Sequence, residues 1–183
     1  MGSDILGSDF PFAEGVLNGK TALVCGASKG IGRATALTLA RSGCRVIVCA
    51  RSTDELKALI SDMHGSGHEY FALDMEDLDS VSEFASKIGK IDILINNSGG
   101  PPGGPLLGNS IEDFDGPFTR HLHASHILVK SFVPGMIEAG SGRIVNVIST
   151  SVREPIDNIG LSNTLRGAMA SWSKSLSREL HPC

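Results

Sequence analysis

The sequence lacks the features that mark several large classes of protein. No run approaches the ~18 apolar residues of a membrane span, and residues 1–18 lack the basic and then apolar pattern of a secretion signal. The net charge is -4 and the pI is near 5.8, so no basic excess attracts nucleic acid or an anionic membrane. These absences predict a cytoplasmic protein with neither a nucleic acid nor a membrane as its partner.

Cysteine and tyrosine are also scarce. The four cysteines show no framework spacing, and Cys25 and Cys49 fall within predicted buried strands. Reduced thiols are therefore favoured over disulfides or metal ligands. Three histidines, His121, His123 and His126, lie along one predicted helix, but this is not a closed ligand set, and no metal is expected. Tyr70 is the only tyrosine.

What is present indicates one globular domain. The chain is 41% hydrophobic and 20% charged, which is enough apolar material to bury a core. We expect residues 1–18 to form a polar leader and residues 19–183 to form the domain.

Apolar runs alternate with amphipathic segments along this domain. Near-continuous apolar runs are typical of parallel strands covered on both faces. We predict strands over residues 21–25, 45–50, 70–73, 91–95 and 143–148. We predict helices over about 29–42, 53–64, 78–88, 111–139 and 161–180. The alternation predicts an α/β fold, a doubly wound, Rossmann-like parallel sheet with helices on both faces.

A glycine-rich turn joins the first predicted strand to the first predicted helix. Its three glycines permit positive φ and the close approach of a pyrophosphate, and the helix N-terminus offers unpaired N–H groups. The alternative is a plain strand-turn-helix corner. The strand before and the helix after it favour a dinucleotide site. The predicted cofactor contacts here are Gly26, Ser28, Lys29, Gly30, Ile31 and Gly32.

A second loop, residues 96–105, is rich in glycine and proline. It is either a surface connector or part of a site. It leaves the carboxyl end of the fourth predicted strand, where open α/β sheets bind ligands. We therefore predict that Asn97, Ser98 and Gly99 contact the cofactor.

The residues after the second predicted strand indicate which dinucleotide binds. An NAD site has a carboxylate there for the ribose 2′-hydroxyl, whereas a 2′-phosphate requires cations. Arg51 and Ser52 stand at this position, and Lys29 lies in the glycine turn. The pattern favours NADP.

Several motifs together resemble the short-chain dehydrogenase/reductase family, from about Gly19 to Leu180. The family's Thr-Gly-x-x-x-Gly-x-Gly motif corresponds to residues 25–32, with Cys25 in place of Thr. Its Asn-Asn-Ala-Gly motif corresponds to residues 96–99. The phrase that ends in its catalytic serine corresponds to residues 142–149, and residues 173–180 resemble the end of its catalytic helix. The acyl-thioester 3-oxo reductases look nearest.

The resemblance implies reduction of a small carbonyl compound or oxidation of a secondary alcohol, in a homo-oligomer. It assigns catalysis to Ser149 and adenine contacts to Asp74, with Met75 beside it. An alternative for Asp74 is a helix N-cap. The family's tyrosine, lysine and asparagine, however, are replaced by Ser162, Arg166 and His121.

These replacements change the acid chemistry. An alkyl hydroxyl is a much weaker acid than a phenol, and an arginine keeps its proton. We expect Ser149 and Ser162 to polarise the carbonyl and Arg166 to hold the nicotinamide ribose. A water molecule or His121 would supply the proton, although His121 could equally fill the space of the asparagine or contact another subunit.

The family continues beyond its fifth strand, whereas this sequence stops at Cys183. The sheet is therefore expected to be C-terminally truncated, with an unpaired strand edge. We expect the chain to be a fragment of a longer product or to be covered by another chain, and of the three alternatives a complete, independently stable enzyme is the least favoured. The hypothesis is an NADP-dependent oxidoreductase, and the alternative is a noncatalytic nucleotide-binding module.

Overall fold

The computed structural model describes residue 12 and residues 15–180. Most of the expected leader therefore lies outside the described residues. Cys183 also lies outside them. The last part of the leader, residues 15–18, forms a turn in which the Leu17 amide donates to the Ser42 carbonyl at 2.9 Å.

Strands and helices alternate through the described part of the chain. The strands are β1 (Thr21–Cys25), β2 (Arg45–Ala50), β3 (Glu69–Ala72), β4 (Ile93–Asn96) and β5 (Arg143–Asn146). The helices are α1 (Gly30–Arg41), α2 (Thr53–Asp62), α3 (Leu78–Lys87), α4 (Glu112–Phe118), α5 (Ala124–Glu138) and α6 (Gly160–Glu179). Among residues 15–180, every helix is too short or too polar to cross a lipid bilayer.

The five strands form one parallel sheet in the order β3-β2-β1-β4-β5. Cys25 is level with Cys49, and Asn96 is level with Asn146, so the carboxyl ends of the strands meet at one edge. The predicted doubly wound parallel fold is confirmed. The order reverses between β1 and β4, which is where such sheets bind ligands.

Two hydrophobic clusters cover the two faces of the sheet. Alternate residues of β1 divide between them: Leu23 packs toward α3 and α5, and Val24 packs toward α1 and α2. This explains why β1 is apolar and buried from Ala22 to Cys25, since a parallel strand buried on both faces has no solvent side. The described cysteines Cys25, Cys44 and Cys49 are buried and free.

The predicted helix over residues 111–139 contains an interruption. The chain is helical from Glu112 to Glu138, but a π-helical segment, Thr119–His123, separates α4 from α5. Single π turns inside α-helices are rare and frequently lie at functional sites. Here the segment carries His121.

Several predicted ends differ from the structure. Helix α2 stops at Asp62 rather than residue 64, because Met63 is already extended. Strand β5 stops at Asn146 rather than residue 148, since the Val147 amide makes the last bond to β4, at the Asn96 carbonyl. Strand β4 begins at Ile93 and ends at Asn96. Hydrophobicity alone overestimates the length of a strand when apolar residues continue beyond its last paired residue, as they do after Asn146.

Candidate functional site

A cleft of about 560 Å³ lies at the carboxyl ends of β1, β2 and β4. Most of the sequence-predicted cofactor residues line it: Gly26, Ser28, Lys29, Ile31, Arg51, Ser52, Asp74, Met75, Asn97, Ser98 and Gly99. Gly30, Gly32 and Arg166 are not part of this lining. Five further residues line it without having been predicted: Ala50, Glu55, Leu73, Gly100 and Arg120.

The glycine turn is shaped by close backbone contacts. A Cβ on Gly32 would lie 2.2 Å from the Gly26 carbonyl oxygen, and a Cβ on Gly26 would lie 2.6 Å from the Asn97 carbonyl oxygen. Gly30 also has a positive φ, +56°. It differs from Gly26 and Gly32 because no atom lies within 4 Å of its Cβ position. Gly26 and Gly32 therefore let the turn fold, while Gly30 leaves open space beside the helix N-terminus.

The start of α1 is suited to an anion. Its first turn contains no acidic residue, and the Lys29 side chain makes no capping hydrogen bond. The N–H groups at the start of a helix carry a partial positive charge. A pyrophosphate could therefore occupy the open space beside Gly30 and accept hydrogen bonds from the main chain.

Two cations and two carboxylates line the adenosine end of the cleft. Within the described residues, neither Lys29 nor Arg51 has a carboxylate within 4.0 Å, so both are available to a ligand phosphate. Glu55, in the first turn of α2, also lines the cleft, and no motif in the sequence predicts it there. Asp74 accepts a hydrogen bond from the Glu76 amide at 3.0 Å, and the N-cap of α3 is Asp77, which excludes the N-cap role for Asp74.

Asn97 connects the loop after β4 to the glycine turn. Its Nδ2 donates to the carbonyl oxygens of Cys25 and Gly26, both at 3.2 Å. The amide therefore holds two strand ends together, beyond lining the cleft. Loss of this side chain would remove the hydrogen bonds between two loops that both line the cleft.

His121 is buried, with 3% of its surface exposed, and both ring nitrogens are occupied. Nε2 lies 2.9 Å from the Gly99 carbonyl oxygen, and Nδ1 lies 2.8 Å from Ser98 Oγ. A carbonyl only accepts, so Nε2 carries the proton and Nδ1 accepts from Ser98. Burial, followed by the charge of Arg166, lowers the pKa of His121 to about 4. The ring is neutral at neutral pH, and this geometry does not favour His121 as the proton donor.

Arg120, next to His121, reaches the same carbonyl group. Its Nε donates to the Gly99 oxygen at 3.1 Å, and its guanidinium forms an ion pair with Glu76. Arg120 also lines the cleft. Two consecutive side chains of the π-helical segment thus hold Gly99 in place.

Arg166 lies on α6 and is 9% exposed. Its Nη1 donates to the Val147 carbonyl oxygen at 2.8 Å and lies 3.4 Å from His121 Nδ1. Burial, followed by the charge of Arg120, lowers the pKa of Arg166 from its ordinary value. Within the described residues, no carboxylate lies within 4.0 Å of this guanidinium.

The two predicted serines are partly buried. Ser149 follows β5, and its Oγ accepts from the Ser151 amide at 3.1 Å, which leaves the hydroxyl proton to donate. Ser162 lies one helical turn before Arg166, so these two residues share a face of α6. The first residue of α6 is tied to the loop after β4, because the Gly160 amide donates to the Gly104 carbonyl at 3.2 Å.

Comparisons with known proteins agree with this geometry. Residues 20–183 match the family model described as short chain dehydrogenase. L-xylulose reductase from Mesocricetus auratus is 34% identical over 167 residues, covering 91% of this chain and 68% of the relative. The chain spans about two thirds of the length of this relative and of other curated relatives that it matches.

Solved structures show the same fold with related cofactors. The crystal structure of a metagenomic short-chain oxidoreductase in complex with NADP has a TM-score of 0.84 and 31% identity, covering 90% of this chain and 78% of that one. L-sorbose reductase from Gluconobacter frateurii, complexed with NADPH and L-sorbose, has a TM-score of 0.85 and 27% identity, covering 92% of this chain and 66% of that one. From the matched model, the glycine turn and the parallel sheet, this chain belongs to the short-chain dehydrogenase family of oxidoreductases.

Proposed function

We propose that the chain binds NADP and transfers hydride between the nicotinamide and a small carbonyl compound or secondary alcohol. The observation that carries this proposal is the cleft itself. It combines a glycine turn and a helix N-terminus free of acidic residues with two cations, Lys29 and Arg51, that lack ion-pair partners in the described chain. Neighbouring structures that hold NADP or NADPH support the same choice.

The residues present fit the dinucleotide. The main chain beside Gly30 would hold the pyrophosphate, and Arg51 with Ser52 would hold the 2′-phosphate by charge-assisted hydrogen bonds. Asp74 has an oxygen left for the adenine. Glu55 opposes the phosphate electrostatically, but a single carboxylate is outweighed by the two cations.

The nicotinamide end of the proposed site contains only weak acids. When bound, NADPH supplies a hydride to the carbonyl carbon. Ser149 and Ser162 donate hydrogen bonds to the carbonyl oxygen, and Arg166 stabilises the negative charge that develops there while also reaching the ribose. Water supplies the proton, because His121 is neutral and its N–H is donated to Gly99.

His121 then acts on the site through its neighbours. It orients Ser98 and Gly99, which line the cleft, and it gives Arg166 a neutral partner. It therefore replaces the family's asparagine as a positioning group rather than as an acid.

NADPH affinity and steady-state reduction of small aldehydes and ketones test this proposal directly. We expect submillimolar NADPH binding and slow but measurable turnover. NADPH binding without turnover would instead support the noncatalytic module. That alternative is not favoured by the relatives, which include an L-xylulose reductase. Failure to bind NADPH would contradict both functions.

The cellular setting is also a proposal. We propose that the chain forms a homo-oligomer, as the family resemblance implies, in the cytoplasm. Light scattering coupled to size-exclusion chromatography measures the mass in solution. A strictly monomeric protein would contradict this part of the proposal.

A further inference from the structure

We propose that Arg166 receives a carboxylate of the substrate, so that the substrates are oxo acids whose carboxylate lies next to the reacting carbonyl, together with the matching hydroxy acids. This inference rests on the proposed function and specifies its substrate class. It follows from three features: the charge around Arg166, the orientation of its guanidinium and the position of two serines.

The first feature is an uncompensated buried charge. Arg166 is 9% exposed, and no carboxylate of the described chain lies within 4.0 Å of it. The charged side chain that acts on it is Arg120, another cation, and His121 beside it is neutral. Buried charges in proteins are normally paired, since removal from water is costly. An anionic ligand would supply the missing partner.

The second feature is the orientation of the guanidinium. Nη1 is held by the Val147 carbonyl oxygen at 2.8 Å, which fixes the plane of the group. The opposite edge, formed by Nε and Nη2, makes no hydrogen bond within the described chain. Two parallel N–H groups on one edge are the geometry that binds a carboxylate in bidentate fashion. The second Nη2 hydrogen remains available to the ribose.

The free edge lies beside the cleft. Nη2 is the atom nearest to the Cβ position of Gly100, at 3.8 Å, and Gly100 lines the cleft. Because Gly100 has no side chain, nothing of that residue covers the guanidinium on this side. A carboxylate at the end of the cleft could reach Nε and Nη2 there.

The third feature places the carbonyl next to the carboxylate. Ser162 precedes Arg166 by one turn of α6, and Ser149 follows the Val147 carbonyl to which Arg166 is bound. A carboxylate on the guanidinium thus brings its adjacent carbonyl oxygen toward the two hydroxyls. With NADPH bound, the carbonyl carbon would take a hydride, the C=O π pair would move to oxygen, and water would give that oxygen a proton and leave as hydroxide. The products would be a hydroxy acid, NADP and hydroxide.

Oxamate and oxamide distinguish this inference from a neutral-substrate site. Both molecules resist reduction and have nearly the same shape, but only oxamate carries a carboxylate. Isothermal titration calorimetry on the NADPH-saturated chain should show oxamate binding at least about tenfold more tightly than oxamide, as expected for a hydrogen-bonded charge pair. Equal affinities, or no binding of either, would overturn the inference.

Two variants locate the binding group. Arg166→Lys keeps the positive charge but loses the pair of N–H donors that would bind the carboxylate in bidentate fashion. Oxamate affinity should therefore fall by about tenfold or more. Arg45→Lys, at the amino end of β2 and paired with Glu69, is the matched control and should bind oxamate normally. Unchanged oxamate affinity in Arg166→Lys would overturn the inference. If that variant does not fold, the comparison of oxamate with oxamide on the unsubstituted chain decides alone.

NADPH binding separates this inference from the proposed function. If NADPH binds and oxamate does not, only the substrate class is wrong. If NADPH itself does not bind, the proposed function fails and this inference fails with it.

Discussion

Ser98 Oγ lies 2.8 Å from Nδ1 of His121, a ring that is 97% removed from solvent. Because Nε2 of the same ring donates to Gly99, the hydroxyl of Ser98 must be the donor in this pair. The contact therefore specifies one tautomer of a neutral histidine. Protonation of Nδ1 would require the Ser98 hydroxyl to turn and accept instead, and it would place a positive imidazolium 3.4 Å from the Arg166 guanidinium.

The buried histidine should make the fold sensitive to acid. Its pKa is about 4 in the folded protein against an ordinary value of 6.5, so between these values the unfolded chain binds more protons. The free energy of unfolding therefore falls as pH decreases through this window, by up to ~1.4 kcal/mol per pH unit. Urea unfolding across the window should show a steeper loss for the unsubstituted chain than for His121→Asn. Parallel curves would contradict the neutral assignment.

The phosphate preference should depend on Arg51. Arg51→Ala should weaken NADPH binding by about tenfold or more, because a charge-assisted contact is lost, and should leave NADH binding nearly unchanged. Fluorescence titration of both cofactors measures this. Arg45→Ala, at the other end of β2, is the control. Equal losses for the two cofactors would exclude a phosphate contact.

Glu55 should act in the opposite direction. It lines the cleft with Arg51 and carries a negative charge near the proposed 2′-phosphate. Glu55→Gln should therefore tighten NADPH binding by about twofold to fivefold and change NADH binding less, because one like charge is removed at a solvent-exposed site. Tighter NADH binding without any gain for NADPH would indicate that Glu55 faces another part of the cofactor.

The glycines of the turn should separate folding from binding. Gly32→Ala places a Cβ against the Gly26 carbonyl oxygen and should lower the free energy of unfolding by about 2 kcal/mol or more. Gly30→Ala meets open space and should cost about 1 kcal/mol through its positive φ, yet it should abolish NADPH binding because its methyl group enters the proposed pyrophosphate site. Thermal unfolding and NADPH titration on both variants check this. Normal NADPH binding by Gly30→Ala would place the pyrophosphate elsewhere.

Restoring a phenol should accelerate the reaction. Ser162→Tyr introduces a much stronger acid at the position that the family resemblance assigns to tyrosine, and general acid catalysis contributes about 100-fold or more. Steady-state carbonyl reduction should rise accordingly and acquire a new pH dependence. Thr164→Tyr, exposed on the same helix, is the control. Equal rates for both variants would place the reacting carbonyl away from Ser162.

Some features of the site could not be predicted because they depend on contacts between distant segments. Arg120 was not predicted to line the cleft, and it does so because the π-helical segment passes beside Gly99. Glu55 was not predicted because the dinucleotide pattern places its carboxylate at the end of the second strand, and Glu55 lies four residues beyond Arg51, in the next helix. His121 was expected to be a possible acid, since its residue type titrates near neutrality and only burial reveals the lowered pKa.

The sequence by itself determined the order of strands and helices, the two-sided burial of the sheet and the position of the glycine turn. These depend on local patterns: unbroken apolar runs, helical periodicity, and glycines where a Cβ would meet backbone. Only the tertiary structure decided the electrostatics of the site. The charge state of His121, and the absence of a carboxylate beside Arg166 among the described residues, depend on which side chains surround them. His121 and Arg166 are 45 positions apart in the chain, and their contact cannot be predicted from a local sequence pattern.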